Sequence, residues 1–330
     1  MLGILMLACL LITPLTQAAE AMMPVTGRPV NTYSIVARDP ETGQLGVAVQ
    51  SHWFSVGSLV PWAQAGVGAI ATQSFIEVRY GVSGLELMAS GLSATRTLDA
   101  LLAADSNPAV RQVAMIDAGG QTATHTGESC IEYAGHLSGE NFSVQANLMV
   151  EPGVPQAMAQ AFRQASGSLA ERMLAALEAA QAAGGDLRGK QSAAILVVSG
   201  KATGRSWQDR LVDLHVEDDP QPLVQLRRLL TLNSAYEHMN RGDHALESGD
   251  IETALAEYGR AEALQPDNLE MQFWHAVSLV NAGRIDAAVA MFATIFRDGK
   301  QWRELVPRLA QAGLLQVDAA VLERIDRAAR

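Results

Sequence analysis

The sequence predicts a two-part protein: an α+β layered domain of two antiparallel sheets with helices against their outer faces, followed by an all-α repeat array. Three observations predict it. Strand-type and helix-type runs come in blocks (strands, two helices, strands, two helices, strands) and do not alternate singly, as a parallel sheet would require. Strand-type text stops at Pro222, and the helical part beyond it repeats itself at a spacing of 34 residues. The 330 residues, 48% hydrophobic and 18% charged, are enough to fill two cores.

In chain order, Met1 to Leu15 is the strongly apolar run. It is too short to span a bilayer, and small residues follow it with cleavage options after Ala18, Ala19 or Ala21. Residues 1–21 therefore read as a signal peptide, 22–31 as a linker, 32–222 as the layered domain and 223–330 as the repeat domain. Thr32 to Arg38 alternates, breaks at Asp39-Pro40-Glu41-Thr42-Gly43 and resumes at Leu45 to Ser51, which predicts a hairpin. Gly66 to Gln73 is a third strand with small residues on both faces. Helices are expected over 81–90 and 93–104, the second capped by Ser93, and strands over 110–117, 121–126 and 143–150. Residues 155–182 are helix-forming, carry Leu169, Met173, Leu174 and Leu177 on one stripe and end at Gly184-Gly185. Strands at 192–199 and 211–216 close the domain.

In the second part, Gly249, Ala254 and Tyr258 recur as Gly283, Ala288 and Phe292, and Gly242 is matched by Ala276. With Ala261 and Pro266 closing the first copy, these residues resemble the tetratricopeptide repeat. Small residues sit where its helices cross, and an aromatic fills the gap to the next helix. Two copies fall below the usual minimum of about three units, so Leu223–Leu232 and the terminal helix are expected to cap the array.

Charge and cysteine content exclude several classes. The chain carries 24 Lys+Arg against 35 Asp+Glu, its only lysines are Lys190, Lys201 and Lys300, and both parts are acidic, so no cationic patch is present to bind nucleic acid. Of the two cysteines, Cys9 lies in the signal peptide. An exported chain would keep only Cys130 and could form no internal disulfide. No dinucleotide or phosphate-loop fingerprint is present, and no cofactor or metal is expected.

Several residues of the first domain could carry chemistry, each beside a plainer reading. Thr32, at the head of a strand, is a nucleophile if a cut frees its amine to act as base, and otherwise an ordinary β-branched strand residue. His52 follows a strand where a loop would present it, and His125 ends another; either could orient a site or simply pack. Gln73 and Asn147 are strand amides that could polarise a carbonyl or satisfy backbone groups. Cys130 with His125 could form a thiol–base pair, and His125-x4-Cys130-x5-His136 has zinc-like spacing without a second close pair.

The segments Thr32–Gly43, Val49–Gly57, Pro61-Trp62-Ala63, Ala65–Ala69, Ala71-Thr72-Gln73, His125-Thr126-Gly127 and Gln191-Ser192-Ala193 together resemble domain of unknown function 1028, from Thr32 to about Leu230. That family is grouped with the N-terminal nucleophile hydrolases. The resemblance implies a four-layer αββα sandwich, pairing into homodimers, and an amide-directed nucleophile at Thr32; beside it, the polar residues at strand ends offer His52 or His125 to orient the site and Gln73 and Asn147 as oxyanion candidates. Signal cleavage leaves residues ahead of Thr32, so this role requires a second cut at Asn31–Thr32. Two functional expectations follow. The first is an exported, periplasmic or secreted amidohydrolase; the second is a non-catalytic adaptor that holds a protein or peptide through repeats 235–302. Neither retains a membrane span once the signal peptide is removed.

Overall fold

The computed structural model describes residues 28–328, so the expected signal peptide and the linker up to residue 27 lie outside the described residues. The first strands form as their alternation demands. β1 (Thr32–Arg38) and β2 (Leu45–Ser51) pair antiparallel from Thr32↔Ser51 to Arg38↔Leu45. Their turn is held by Asp39, whose Oδ1 accepts from the N–H groups of Glu41 and Thr42, and by Gly43 at φ 74°.

There follow β3 (Pro61–Gln64), β4 (Gly68–Ser74), α1 (Arg79–Ala89), α2 (Ala94–Ala104), β5 (Arg111–Asp117), β6 (Thr122–Thr126), β7 (Gly135–Gly139) and β8 (Phe142–Ala146). Next come α3 (Val154–Gln164), α4 (Leu169–Ala182), β9 (Ser192–Val198), the short α5 (Ser206–Asp209) and β10 (Arg210–Val216). The helix-forming stretch 155–182 supplies the second pair of helices that the block order calls for. Gly167 takes φ 98° and Ser168 closes a capping box with Glu171, so the chain turns back before the leucine stripe begins. Strands β3 and β7 are additions to the sequence reading.

Two all-antiparallel sheets result, one ordered β10-β9-β2-β1-β8-β7 and the other β3-β4-β5-β6. The pleat sorts their side chains into four αββα layers. Tyr33, Ile35 and Ala37 face α3 and α4, packing with Met158, Phe162, Met173 and Leu177. Ile70, Val113 and Met115 face α1 and α2, packing with Tyr80, Leu85 and Leu98. Between the sheets, Val36, Val47, Ala69, Ala114 and Ile116 form an apolar layer.

The part of the expected linker that is described is packed. Val30 is fully buried and bridges Ser74, and Asn31 is 2% exposed, so packing begins ahead of Thr32.

The helix expected over 223–232 as a cap for the array is the first part of a longer one, α6 (Pro222–Glu247). Its Leu223, Leu226 and Leu230 enter the core beneath the six-stranded sheet, whereas Ala235, Met239 and Ala245 enter the repeat core. Beyond it run α7 (Ile251–Leu264), α8 (Leu269–Asn281), α9 (Ile285–Asp298), α10 (Lys300–Gln311) and α11 (Ala319–Arg327). The recurring residues have the expected uses. Gly242 lies against Tyr258, where an added Cβ would come within 2.7 Å of the ring. Gly249 and Gly283 end helices at φ 79° and 75°. Among the described residues no helix is long and apolar enough to cross a membrane.

Candidate functional site

Register aligns the start of β1 with the ends of β2 and β8 and the start of β9. Thr32 pairs with Ser51, Ser51 with Ser192, and Tyr33 with Ala146. At this end the inter-sheet layer changes character. The residues facing inward from both sheets are Thr32, Ser34, Gln73, Gln112, Gln145 and Asn147, all fully buried. Burying so many amides is tolerable only if they satisfy one another. Gln145 Nε2 donates to Ser34 Oγ (2.5 Å), Ser34 Oγ to Gln73 Oε1 (2.6 Å), and Gln73 Nε2 and Asn147 Nδ2 both to Gln112 Oε1 (2.7 Å each). The Gln112 Nε2 in turn reaches the Ala146 carbonyl at 2.9 Å and Thr126 Oγ1 at 3.0 Å.

Thr32 sits at the rim of this network. Its carbonyl accepts from the Asn147 N–H (3.1 Å) and Gln73 Nε2 (3.3 Å). Its hydroxyl lies 2.7 Å from the Val30 carbonyl and 3.4 Å from Ser51 Oγ. The preceding peptide is gripped more tightly. The Asn31 carbonyl accepts from Ser51 Oγ at 2.5 Å and from Arg188 Nη2 at 2.7 Å. Arg188 is held by a two-point ion pair to Asp186, Nε–Oδ1 3.1 Å and Nη2–Oδ2 2.7 Å, and the Asp186 side chain is wholly buried. Asp186 also accepts from the His52 N–H, and its charge reinforces what burial does to Tyr33, whose phenol is held well above its ordinary range. Ser74 and Leu148 flank the site in left-handed backbone, φ 68° and 56°, unusual for residues with a Cβ.

Outside this peptide lies a surface cavity of about 630 Å³, lined by Arg28, Pro29, Asn31, His52, Trp53, Phe54, Arg188 and Gln191. Asn31 thus stands between the cavity and Thr32.

Of the residues singled out from sequence, the fold brings Thr32, Gln73 and Asn147 into one bonded group and puts His52 at the cavity wall. Gln73 and Asn147 spend their donors on the Thr32 carbonyl and on Gln112; the groups on the Asn31 carbonyl are Ser51 and Arg188. His125 is elsewhere: its Nε2 bonds the Pro108 carbonyl at 2.9 Å. Cys130 donates weakly to the Arg111 carbonyl (3.4 Å), and burial pushes its thiol up, away from the thiolate a nucleophile needs. His136 shares a hydrogen bond with Thr126 Oγ1, and burial, then the nearby His125, hold its imidazole below the usual range. Among the described residues no cluster of three or more His, Cys, Asp or Glu could hold a metal ion.

Sequence reading missed Ser51, Gln112, Asp186 and Arg188. Ser51 and Gln112 carried the signal used for Gln73, a polar residue at the end of an apolar strand. The Asp186–Arg188 pair lies in a glycine-flanked loop, where only its position in space reveals it.

A four-layer sandwich with a polar interior at one end, joined to helical repeats, defines the class. The chain belongs to the family described as a family of unknown function, DUF1028, which it matches over residues 32–226. Residues 245–311 match the tetratricopeptide repeat. The crystal structure of protein SPO2555 from Silicibacter pomeroyi, of the same DUF1028 family, is similar to this chain at 28% identity and a TM-score of 0.54. The likeness covers 61% of this chain and 88% of that one. No curated protein matches.

Proposed function

We propose that this chain is an exported amide hydrolase of the N-terminal nucleophile type, with Thr32 as nucleophile, made competent by cutting its own Asn31–Thr32 bond. The observation that carries this reading is the double grip on the Asn31 carbonyl. A cationic guanidinium and a hydroxyl converge on the oxygen that would bear negative charge if the adjacent Thr32 hydroxyl attacked that carbon. In the cut, the Thr32 oxygen bonds to the Asn31 carbonyl carbon, the C–N bond breaks, and the hydroxyl proton ends on the departing Thr32 nitrogen. Water then hydrolyses the ester to an Asn31 carboxylate and restores the hydroxyl beside a free α-amine that serves as base. Export is supported by the apolar run and small-residue cleavage region at residues 1–21. The repeats add a place to hold a protein or peptide partner, since stacked helical repeats present extended binding surfaces.

Intact-mass measurement on the secreted protein tests the reading. The wild-type chain is expected to begin at Thr32, Thr32→Ala to keep the residues ahead of it, and Arg188→Met to process about 100-fold more slowly, as loss of one oxyanion donor does. A wild-type chain that never begins at Thr32 sinks the proposal.

A further inference from the structure

The four residues ahead of Thr32 do not simply pass by; they are bound. Val30 pairs with Ser74 in a single antiparallel bridge, Val30 N–H to the Ser74 carbonyl 2.7 Å and Ser74 N–H to the Val30 carbonyl 3.1 Å. The Val30 side chain is fully buried in the apolar layer that includes Val49, Val60 and Ile76. Asn31 presents its carbonyl to Ser51 and Arg188. Arg28 places its guanidinium 5.5 Å from the centre of the Trp53 ring. Main-chain pairing for affinity and a pocket for one side chain are how proteins recognise extended peptides by strand addition. The segment fits imperfectly at one point: Asn31 Oδ1 is buried without a hydrogen-bond partner, a mismatch that favours its departure once cut.

We infer that residues 28–31 occupy the acyl side of a peptide-binding cleft, and that the substrate is a peptide-like amide. It lies extended against Ser74, with an apolar residue in the Val30 place and its scissile carbonyl on Arg188 and Ser51. This rests on the nucleophile reading above and adds to it the substrate class. The requirement is for the main chain and the apolar side chain. The Asn31 position asks only for a small residue, because its carboxamide oxygen meets no donor.

The probe is acetyl-Arg-Pro-Val-Asn p-nitroanilide, given to the full chain after mass measurement has established where that chain begins. Thr32 Oγ attacks the Asn carbonyl carbon, the bond to the aniline nitrogen breaks, and nitroaniline leaves carrying the hydroxyl proton delivered through the α-amine. Water then frees the peptide acid. Expected is Thr32-dependent release of nitroaniline. kcat/KM should fall at least tenfold when the probe's Val is replaced by Asp, and likewise when the Val nitrogen is methylated so that it cannot donate to the Ser74 carbonyl. Both changes are made in the probe and leave the protein intact. A processed chain that ignores the probe, or hydrolyses all three forms alike, overturns the substrate claim and leaves the nucleophile reading standing. An unprocessed chain overturns the nucleophile reading and the substrate claim with it.

Discussion

The two halves of this chain fill their interiors with opposite chemistry. The repeat array is built on rings: Phe273 packs edge-on against Phe292 and tilted against Trp302, and Phe292 stacks on Phe296. The inter-sheet layer of the sandwich is apolar at one end and at the other consists of buried amides and hydroxyls, with Gln112 as the hub. A ring cluster holds helices at set distances and asks for nothing else. The network is not complete, since Asn147 Oδ1 is buried without a partner; retaining it at that cost, where valine would serve, marks a place that must position a main chain exactingly. That place is Thr32.

Mutations can break this contrast. Phe273→Ala should cost the array about 3–5 kcal/mol, the usual range for emptying an aromatic core site, read as a lowered denaturant midpoint. Gln112→Leu is expected to cost about 2–4 kcal/mol although it adds apolar volume, because Gln73 and Asn147 each lose an acceptor. If Gln112→Leu proved neutral, the polar end would be no different in kind from the apolar one. Glu257 sharpens the contrast from the other side, as a carboxylate inside the array. Burial pushes its carboxyl up, but hydrogen bonds from His238 and Arg241 and the nearby Arg260 outweigh it and hold it near about 2, against an ordinary 4.5. A depressed folded value means stability that is present above about 4.5 and lost as pH falls toward 2. Acid titration followed by circular dichroism should show that loss in the wild type and not in Glu257→Gln. At neutral pH this variant should be less stable by about 1–3 kcal/mol. The smallest effect is expected at Ser168→Ala, about 1 kcal/mol for a lost capping box, felt in the sandwich alone.

Local pattern made most of the fold legible. Thr32–Arg38 alternates, Leu45–Ser51 is a short apolar run, and the turn between them has an aspartate and a glycine with specific jobs; the recurrence from Gly249 to Gly283 marks helix ends that need a left-handed residue. β7 was not legible, because Gly-His-Leu-Ser-Gly at a sheet edge is glycine-bounded, carries one apolar residue and has no β-branched one. The break between α3 and α4 rests on one glycine and one serine inside an otherwise helical text. At the site, Thr32, Gln73 and Asn147 stood out as polar residues at strand ends. The carbonyl grip did not, because Arg188 is brought to Asn31 from 157 positions away, and no spacing rule encodes such a contact.

α6 makes the junction between the halves a rod. Its 26 residues span about 39 Å, with one end wedged under the sheet and the other serving as the first helix of the array. On the reading proposed above, a partner held by the repeats would sit at a set radius and azimuth from Thr32, not on a tether that samples a sphere. Its concentration at the cleft becomes a matter of geometry in place of chain statistics. Helical phase is then the control. One residue inserted in the middle of α6 lengthens it by only about 1.5 Å but swings the array through about 100° relative to the sandwich.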